Sequence, residues 1–300
     1  MIELKGVSKR FGDIQAVRNV SLSIKEGEIF GLLGTNGSGK STILRMLSGV
    51  YRPDAGEILV DGSPVYENPA VKEQICFLSD NSYFFQNATP LAMAQAYEVI
   101  YPKFSRKRYL TLLEKAGLDK NRKISTFSKG MQKQVAVLLG ISAGTQYLLC
   151  DETFDGLDPV MRQAVKSIFA TELLDRSFTP VIASHNLREL EDLCDHIGLL
   201  HQGGILLTES LEELKFHAQK VQCVIRDEHR EAQLLKELQV MHCDRRGSMI
   251  TIIARGTRTE VLERVAAADP LFMEALPLTL EELFIFETEV AGYDLKALIS

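Results

Sequence analysis

No stretch of the chain approaches the roughly 20 consecutive apolar residues that a helix needs to cross a bilayer, so work at a membrane would need spans carried by another chain. Positive charge is not in excess: 34 Lys and Arg stand against 40 Asp and Glu, for a net charge of -6. That balance argues against a surface that coats nucleic acid. The five cysteines (Cys76, Cys150, Cys194, Cys223 and Cys243) form no C-x-x-C pair and no Cys/His cluster with zinc spacing. Buried, reduced thiols of a cytosolic protein are the expectation. The N-terminal MIELKGVSKRF lacks an apolar core segment and is expected not to be a signal peptide. The sequence also has no internal repeat, low-complexity run or long charged tail.

What is present is ordinary globular composition, 45% hydrophobic and 25% charged over 300 residues, comfortable for two domains. MIELKGVSKRF, AVRNVSLSI and GEIFGLLG read as strands, and a helix follows from Lys40 to about Val50. GEILVDG and the end of VKEQICFLSD are further strands. Helical periodicity runs from Thr89 to about Gly117, with Leu110, Leu113 and Leu118 spaced for one face. A helix from about Lys129 to Gly144 precedes the strand YLLCD, and one over about 159–175 precedes TPVIAS. IGLLHQG and the hairpin-like GGILLTE come next. The alternation predicts a largely parallel α/β layout with a helical insert. After about residue 218 the pattern restarts, with strand-like KVQCVIRD and SMITIIAR, helical EAQLLKELQ and RTEVLERVAAAD, and a closing LTLEELFIFETEV. This segment, 219–300, reads as a small α+β domain.

GTNGSGKST contains the phosphate-loop pattern G-x-x-x-x-G-K-[ST] at Gly34, Gly39, Lys40 and Ser41, with a strand before it and a helix after it. Glycines allow a tight turn whose N–H groups face phosphate oxygens. Lys40 brings a mobile point charge to the β- and γ-phosphates, and Ser41 places a hydroxyl on Mg²⁺. Such a loop needs an acid at the end of a buried strand. YLLCDE supplies Asp151 for the metal and Glu152 as a base for the attacking water. STFSKGMQKQVAVLLG, residues 125–140, holds a second feature of phosphate size. Ser128 and Gly130 stand where a helix start leaves N–H groups free for an anion.

In this order the motifs resemble those of the ATP-binding subunit of an ABC transporter, over residues 1 to about 215. GTNGSGKST is similar to the family's Walker A, so Gly34, Thr35, Asn36, Gly37, Ser38, Gly39, Lys40, Ser41 and Thr42 are expected to bind nucleotide. YLLCDE resembles Walker B with the catalytic Glu152; IASH ends in His185, which matches the switch histidine; Phe11 matches the aromatic that stacks on adenine. FSKGMQ resembles the signature in the SKGM form of exporter-type subunits, so the resemblance implies that Ser128, Lys129, Gly130, Met131 and Gln132 act on the ATP of a second subunit. DGLDP, 155–159, resembles the D-loop, with Asp158 either contacting the partner or capping a helix. Asp80 occupies the place of the family's Mg²⁺-sensing glutamine, in direct or water-bridged contact, and Gln86 falls later. Thr153 replaces the usual proline with no obvious chemical consequence.

The resemblance implies a P-loop NTPase core of ABC type over 1–218, with a mixed sheet, a RecA-like lobe and a helical subdomain at about 81–140. It implies an ATPase using ATP and Mg²⁺ that drives export or membrane extraction through an integral membrane subunit. A second ATPase subunit, identical or not, would complete each site. The expected location is cytoplasmic, peripheral on the inner face of the membrane. Most aromatics of the insert are expected in its core, and some, Phe84 and Phe85 among them, in a groove for the membrane subunit. The rivals are a soluble ABC-type ATPase acting on DNA or ribosomes, disfavoured by the acidic charge, and another P-loop enzyme such as a kinase.

Overall fold

The computed structural model describes residues 1–290; the end of the expected accessory segment, 291–300, lies outside the described residues. Strands β1 (Ile2–Phe11) and β2 (Ile14–Ile24) pair antiparallel and turn Ile2, Leu4, Val7, Val17, Val20, Leu22 and Ile24 inward. β3 (Phe30–Leu33) is buried at every position and runs into the phosphate loop and α1 (Lys40–Leu47). β4 (Ala55–Val60) and β5 (Ser63–Pro64) complete an antiparallel sheet of order β2-β1-β4-β5. After the short α2 (Pro69–Lys72), β6 (Ile75–Leu78) forms one edge of the second sheet, to which β3 also belongs.

The insert consists of α3 (Pro90–Ile100), α4 (Arg106–Lys115) and α5 (Lys129–Ser142). The continuous helical reading of 89–117 is corrected here: the run breaks at Tyr101–Ser105. Pro102 biases Tyr101 away from helical backbone, and Ser105 caps α4 by accepting from Arg108 N at 3.3 Å. Tyr101, Tyr97, Phe104 and Tyr109 form, in that order, a chain of tilted ring contacts with centroids 5.3–5.9 Å apart inside the insert. Leu113 and Leu118 are buried as their spacing predicts, and Leu110 is half-buried.

β7 (Tyr147–Asp151), α6 (Pro159–Asp175), β8 (Thr179–Ser184), α7 (Leu187–Leu193), β9 (His196–His201) and β10 (Gly204–Ser210) follow. The six-stranded sheet has the order β10-β9-β3-β8-β7-β6, and β9-β3-β8-β7-β6 are all parallel. α1 lies between the two sheets. Its Ile43, Leu44, Met46 and Leu47 share one core with Val7, Val20 and Ile58 of the first sheet and Phe30, Leu149 and Val181 of the second. Each such buried side chain stabilises by about 1.5–3 kcal/mol, so the helix that follows the phosphate loop is firmly anchored to both sheets.

A second compact unit begins at Glu209 rather than near 219, because α8 (Leu211–Phe216) packs on β11 (Ala218–Val224). α9 (Glu228–Glu237), β12 (Gln239–Arg246), β13 (Met249–Arg255), α10 (Arg258–Ala267), β14 (Phe272–Leu276) and α11 (Leu280–Val290) follow. The antiparallel sheet order β12-β13-β11-β14, with one helix after β11 and one after β13, is the split βαβ arrangement. Val221, Cys223, Ile250 and Ile252 pack under Leu234 of α9 and Val261 and Val265 of α10. On the other face Lys220 pairs with Glu282 of α11 at 2.6 Å, and His242 stacks on Phe286 at 4.4 Å.

Candidate nucleotide site

Three neighbouring parallel strands end at one level: Leu33 is in register with Ser184, and Ala183 with Asp151. The phosphate loop, His185 and Glu152 therefore leave the sheet from the same carboxyl edge, where α/β sheets take their ligands. Two glycines of the loop are sterically required. A Cβ on Gly34 would lie 2.4 Å from Leu200 O, and one on Gly39 (φ 109°) 2.4 Å from Ala16 O. The second contact seats the loop against β2, next to the turn that carries Phe11. Phe11 is 41% exposed, edge-on to Tyr51 at 5.3 Å, with the Lys9 ammonium over its ring at 5.5 Å. Thr35, Asn36 and Gly37 form the exposed rim, Ser38 is buried, and Ser41 and Thr42 are half-buried on the first turn of α1.

Lys40 is 5% exposed, and its Nζ donates to Gly34 O at 2.7 Å and Thr35 O at 3.2 Å. It also lies 3.2 Å from Glu152 Oε1. Ser41 Oγ donates to Asp151 Oδ1 at 2.8 Å. Burial pushes the Asp151 carboxyl above the usual carboxylate range, against the opposing pull of Ser41 and Arg45. Glu152 has left-handed backbone, φ 49°, with its N–H on Ala183 O at 2.9 Å. Its Oε2 lies 2.8 Å from His185 Nδ1 and accepts from His185 N at 3.3 Å. A non-glycine residue at positive φ costs of order 1–3 kcal/mol and persists where its surroundings over-determine it.

Three supporting residues escape the sequence reading. Glu189, 1% exposed, accepts from Ser184 Oγ at 2.9 Å and so braces the residue before His185. Its signal was available: Asn186 followed three residues later by Glu189 reads as a helix start, and Asn186 is the N-cap of α7. Thr153 does have a consequence, contrary to expectation. It is fully buried, and its hydroxyl donates to Asp151 O at 3.2 Å and Leu78 O at 3.4 Å, joining the ends of β7 and β6. Lys133, on α5, donates to Glu152 O at 2.9 Å and pairs with Asp80 at 3.6 Å. Nothing in its sequence context marks it.

The signature residues stand apart from this cluster. Ser128 is exposed and caps α5 by accepting from Met131 N at 3.2 Å, and Gly130 neighbours Gly156 O. Lys129 is exposed at the first helical position, where the helix dipole disfavours a cation unless an anion is nearby. Gln132 turns back instead, donating to Ile124 O at 3.2 Å and Phe127 O at 3.1 Å, so its side chain braces the preceding loop. Asp158 caps α6 through Met161 N at 2.8 Å, with Pro159 following, and is exposed. Asp80 is 52% exposed at the end of β6, and its ion-pair partner is Lys133.

A family model described as ABC transporter matches residues 17–155. The ABC transporter ATP-binding protein YtrB of Bacillus subtilis (strain 168) is 32% identical over 285 residues, covering 95% of this chain and 97% of that one. The bacitracin transport ATP-binding protein BcrA of Bacillus licheniformis is 28% identical over 72% of this chain and 71% of its own. The methionine import ATP-binding protein MetN of Clostridioides difficile (strain 630) is 29% identical over 71% and 70%. A dimeric ATP-binding cassette solved in a post-hydrolysis state with ADP and Pi superposes with a TM-score of 0.63 at 26% identity, over 70% of this chain and 99% of that one. With its two sheets, insert and phosphate loop, the chain belongs to the ABC transporter ATP-binding family, and is an ATPase of the ABC type.

Proposed function

We propose that this chain is the ATP-hydrolysing subunit of an exporter-type transporter, driving export or membrane extraction through a separate membrane subunit on the inner face of the membrane. The observation that carries the proposal is the Lys40–Glu152–His185 contact chain beside the Ser41–Asp151 pair, at one carboxyl edge. The SKGM form of the signature and the tail LTLEELFI favour the exporter type.

Glu152 is the general base, and His185 holds its carboxylate and orients the water. Lys40 now serves Glu152; a γ-phosphate is the stronger partner for the ammonium, and taking it frees the carboxylate toward the attacking water. Ser41 and Asp151 would hold Mg²⁺. The Ser41 hydroxyl and the Asp151 carboxylate, whose charge Ser41 and Arg45 only partly offset against burial, are hard oxygens that fit a cation keeping most of its shell for water and phosphate. When bound, the metal supplies charge neutralisation on the transferring phosphoryl group. Ser128, Lys129 and Gly130 would face the γ-phosphate of a second subunit, so the closed dimer is the state that ATP favours.

Tyr83 is 77% and Phe85 50% exposed, their rings edge-on at 5.9 Å, while Phe84 is half-buried. This aromatic tip of the insert would receive a helix of the membrane subunit. The test is capture of the full-length chain from cells. A multi-span membrane protein should co-purify with it, and Phe84→Glu with Phe85→Glu should lose that protein while keeping ATP binding. Co-purification with nucleic acid or ribosomes, and no membrane protein, would overturn the reading.

A further inference from the structure

We propose that Lys133 is the positioning residue of Glu152, and that Asp80 serves as its anchor. The inference rests on Glu152 being the general base. Lys133 Nζ lies among three acceptors from three segments: Glu152 O at 2.9 Å, Asp80 Oδ1 at 3.6 Å and Asp155 Oδ2 at 4.0 Å. An ammonium has three donors and no acceptor, and this one is 18% exposed, held between the ends of β6 and β7 and the loop before α6. Glu152 is thereby gripped at both of its backbone polar groups, its N–H by Ala183 O and its C=O by Lys133. Between these grips the backbone is left-handed, φ 49°, and the side chain points to Lys40 and His185. Without the Lys133 grip the peptide after Glu152 can rotate, and the carboxylate leaves the water-activating position. Lys133 lies on α5, just past Ser128–Gln132, so the signature helix itself sets the base.

The test is steady-state hydrolysis of Mg²⁺-ATP by the full-length chain. Lys133→Met keeps the unbranched stem to the ε position and removes the ammonium. It should lower kcat about tenfold, since displacing a reacting group by an ångström costs up to about a hundredfold, with KM for ATP unchanged. Lys133→Arg should recover most of the rate. In a Glu152→Gln background Lys133→Met should cost nothing further, because the two changes act through one group. Asp80→Asn should lower kcat without raising the Mg²⁺ concentration needed for half-maximal rate. If Lys133→Met does not fold, Lys133→Gln carries the same comparison. An unchanged kcat, a rise of KM in step with the loss, or a full further loss in the Glu152→Gln background would overturn the proposal. A Glu152→Gln variant as fast as the parent would instead overturn the general-base assignment, and the Lys133 proposal with it.

Discussion

At the scale of single residues, the Lys40–Glu152–His185 cluster is braced by groups outside it. Glu189 carries no chemistry, yet its carboxylate accepts from Ser184 and Asn186 and sets the turn that aims His185. Burial holds its carboxyl above the ordinary 4.5 despite the lowering effect of the Ser184 bond. Below 4.5 both folded and unfolded chains are protonated there; above it the unfolded chain releases a proton that the folded chain keeps. This group therefore costs stability progressively as pH rises from 4.5 toward its raised folded value, and the cost levels off above it. Glu189→Gln should remove that decline, so that its urea midpoint gains on the parent's as pH rises above the ordinary carboxylate range. A midpoint difference independent of pH would show that the buried carboxylate is not titrating in this way. Residues whose identity the tight turn dictates were readable from spacing, as at Gly34 and Gly39. Thr153 and Gln132 were not, because a short bond to a neighbouring carbonyl leaves no pattern in the chain.

At the scale of elements, Glu172 of α6 joins the insert to the lobe. It is fully buried and pairs with Arg108 of α4 and, at 2.5 Å, with Arg176. Arg176 in turn covers Phe178 at 4.5 Å and donates to Thr145 O. Glu172→Ala leaves two guanidinium groups facing each other without their shared carboxylate. It should cost about 3–5 kcal/mol in urea unfolding, and a loss below about 1 kcal/mol would mean that the pair is not holding α4 to α6. Helices were legible where a cap and a hydrophobic stripe agree, as for α6 with Asp158 and Pro159. The break at Pro102 was missed because apolar periodicity resumes in phase after it. β12 and β14 were missed for another reason: QVMHCDRR and FMEAL lie at the sheet edges, largely exposed, and show no alternation.

At the scale of the whole molecule, no helix among the described residues is long and apolar enough to cross a membrane. The features expected to contact nucleotide fall into two groups: the carboxyl edge of the parallel sheet, and the start of α5, where Ser128 is exposed and Gly130 half-buried. This separation is what the proposed site, completed by a second subunit, would need, and a solved relative is dimeric. The order of motifs along the chain made the division readable. The parallel register that brings Ser184 beside Leu33 and Asp151 beside Ala183 required the fold. The central claim is that Glu152 activates the attacking water at this edge. The direct measurement is the Mg²⁺-ATP turnover of Glu152→Gln beside the parent, both full-length, with nucleotide binding measured in parallel. A rate lower by about 10²–10⁴ with ATP still bound is the predicted result, and equal rates would contradict the account.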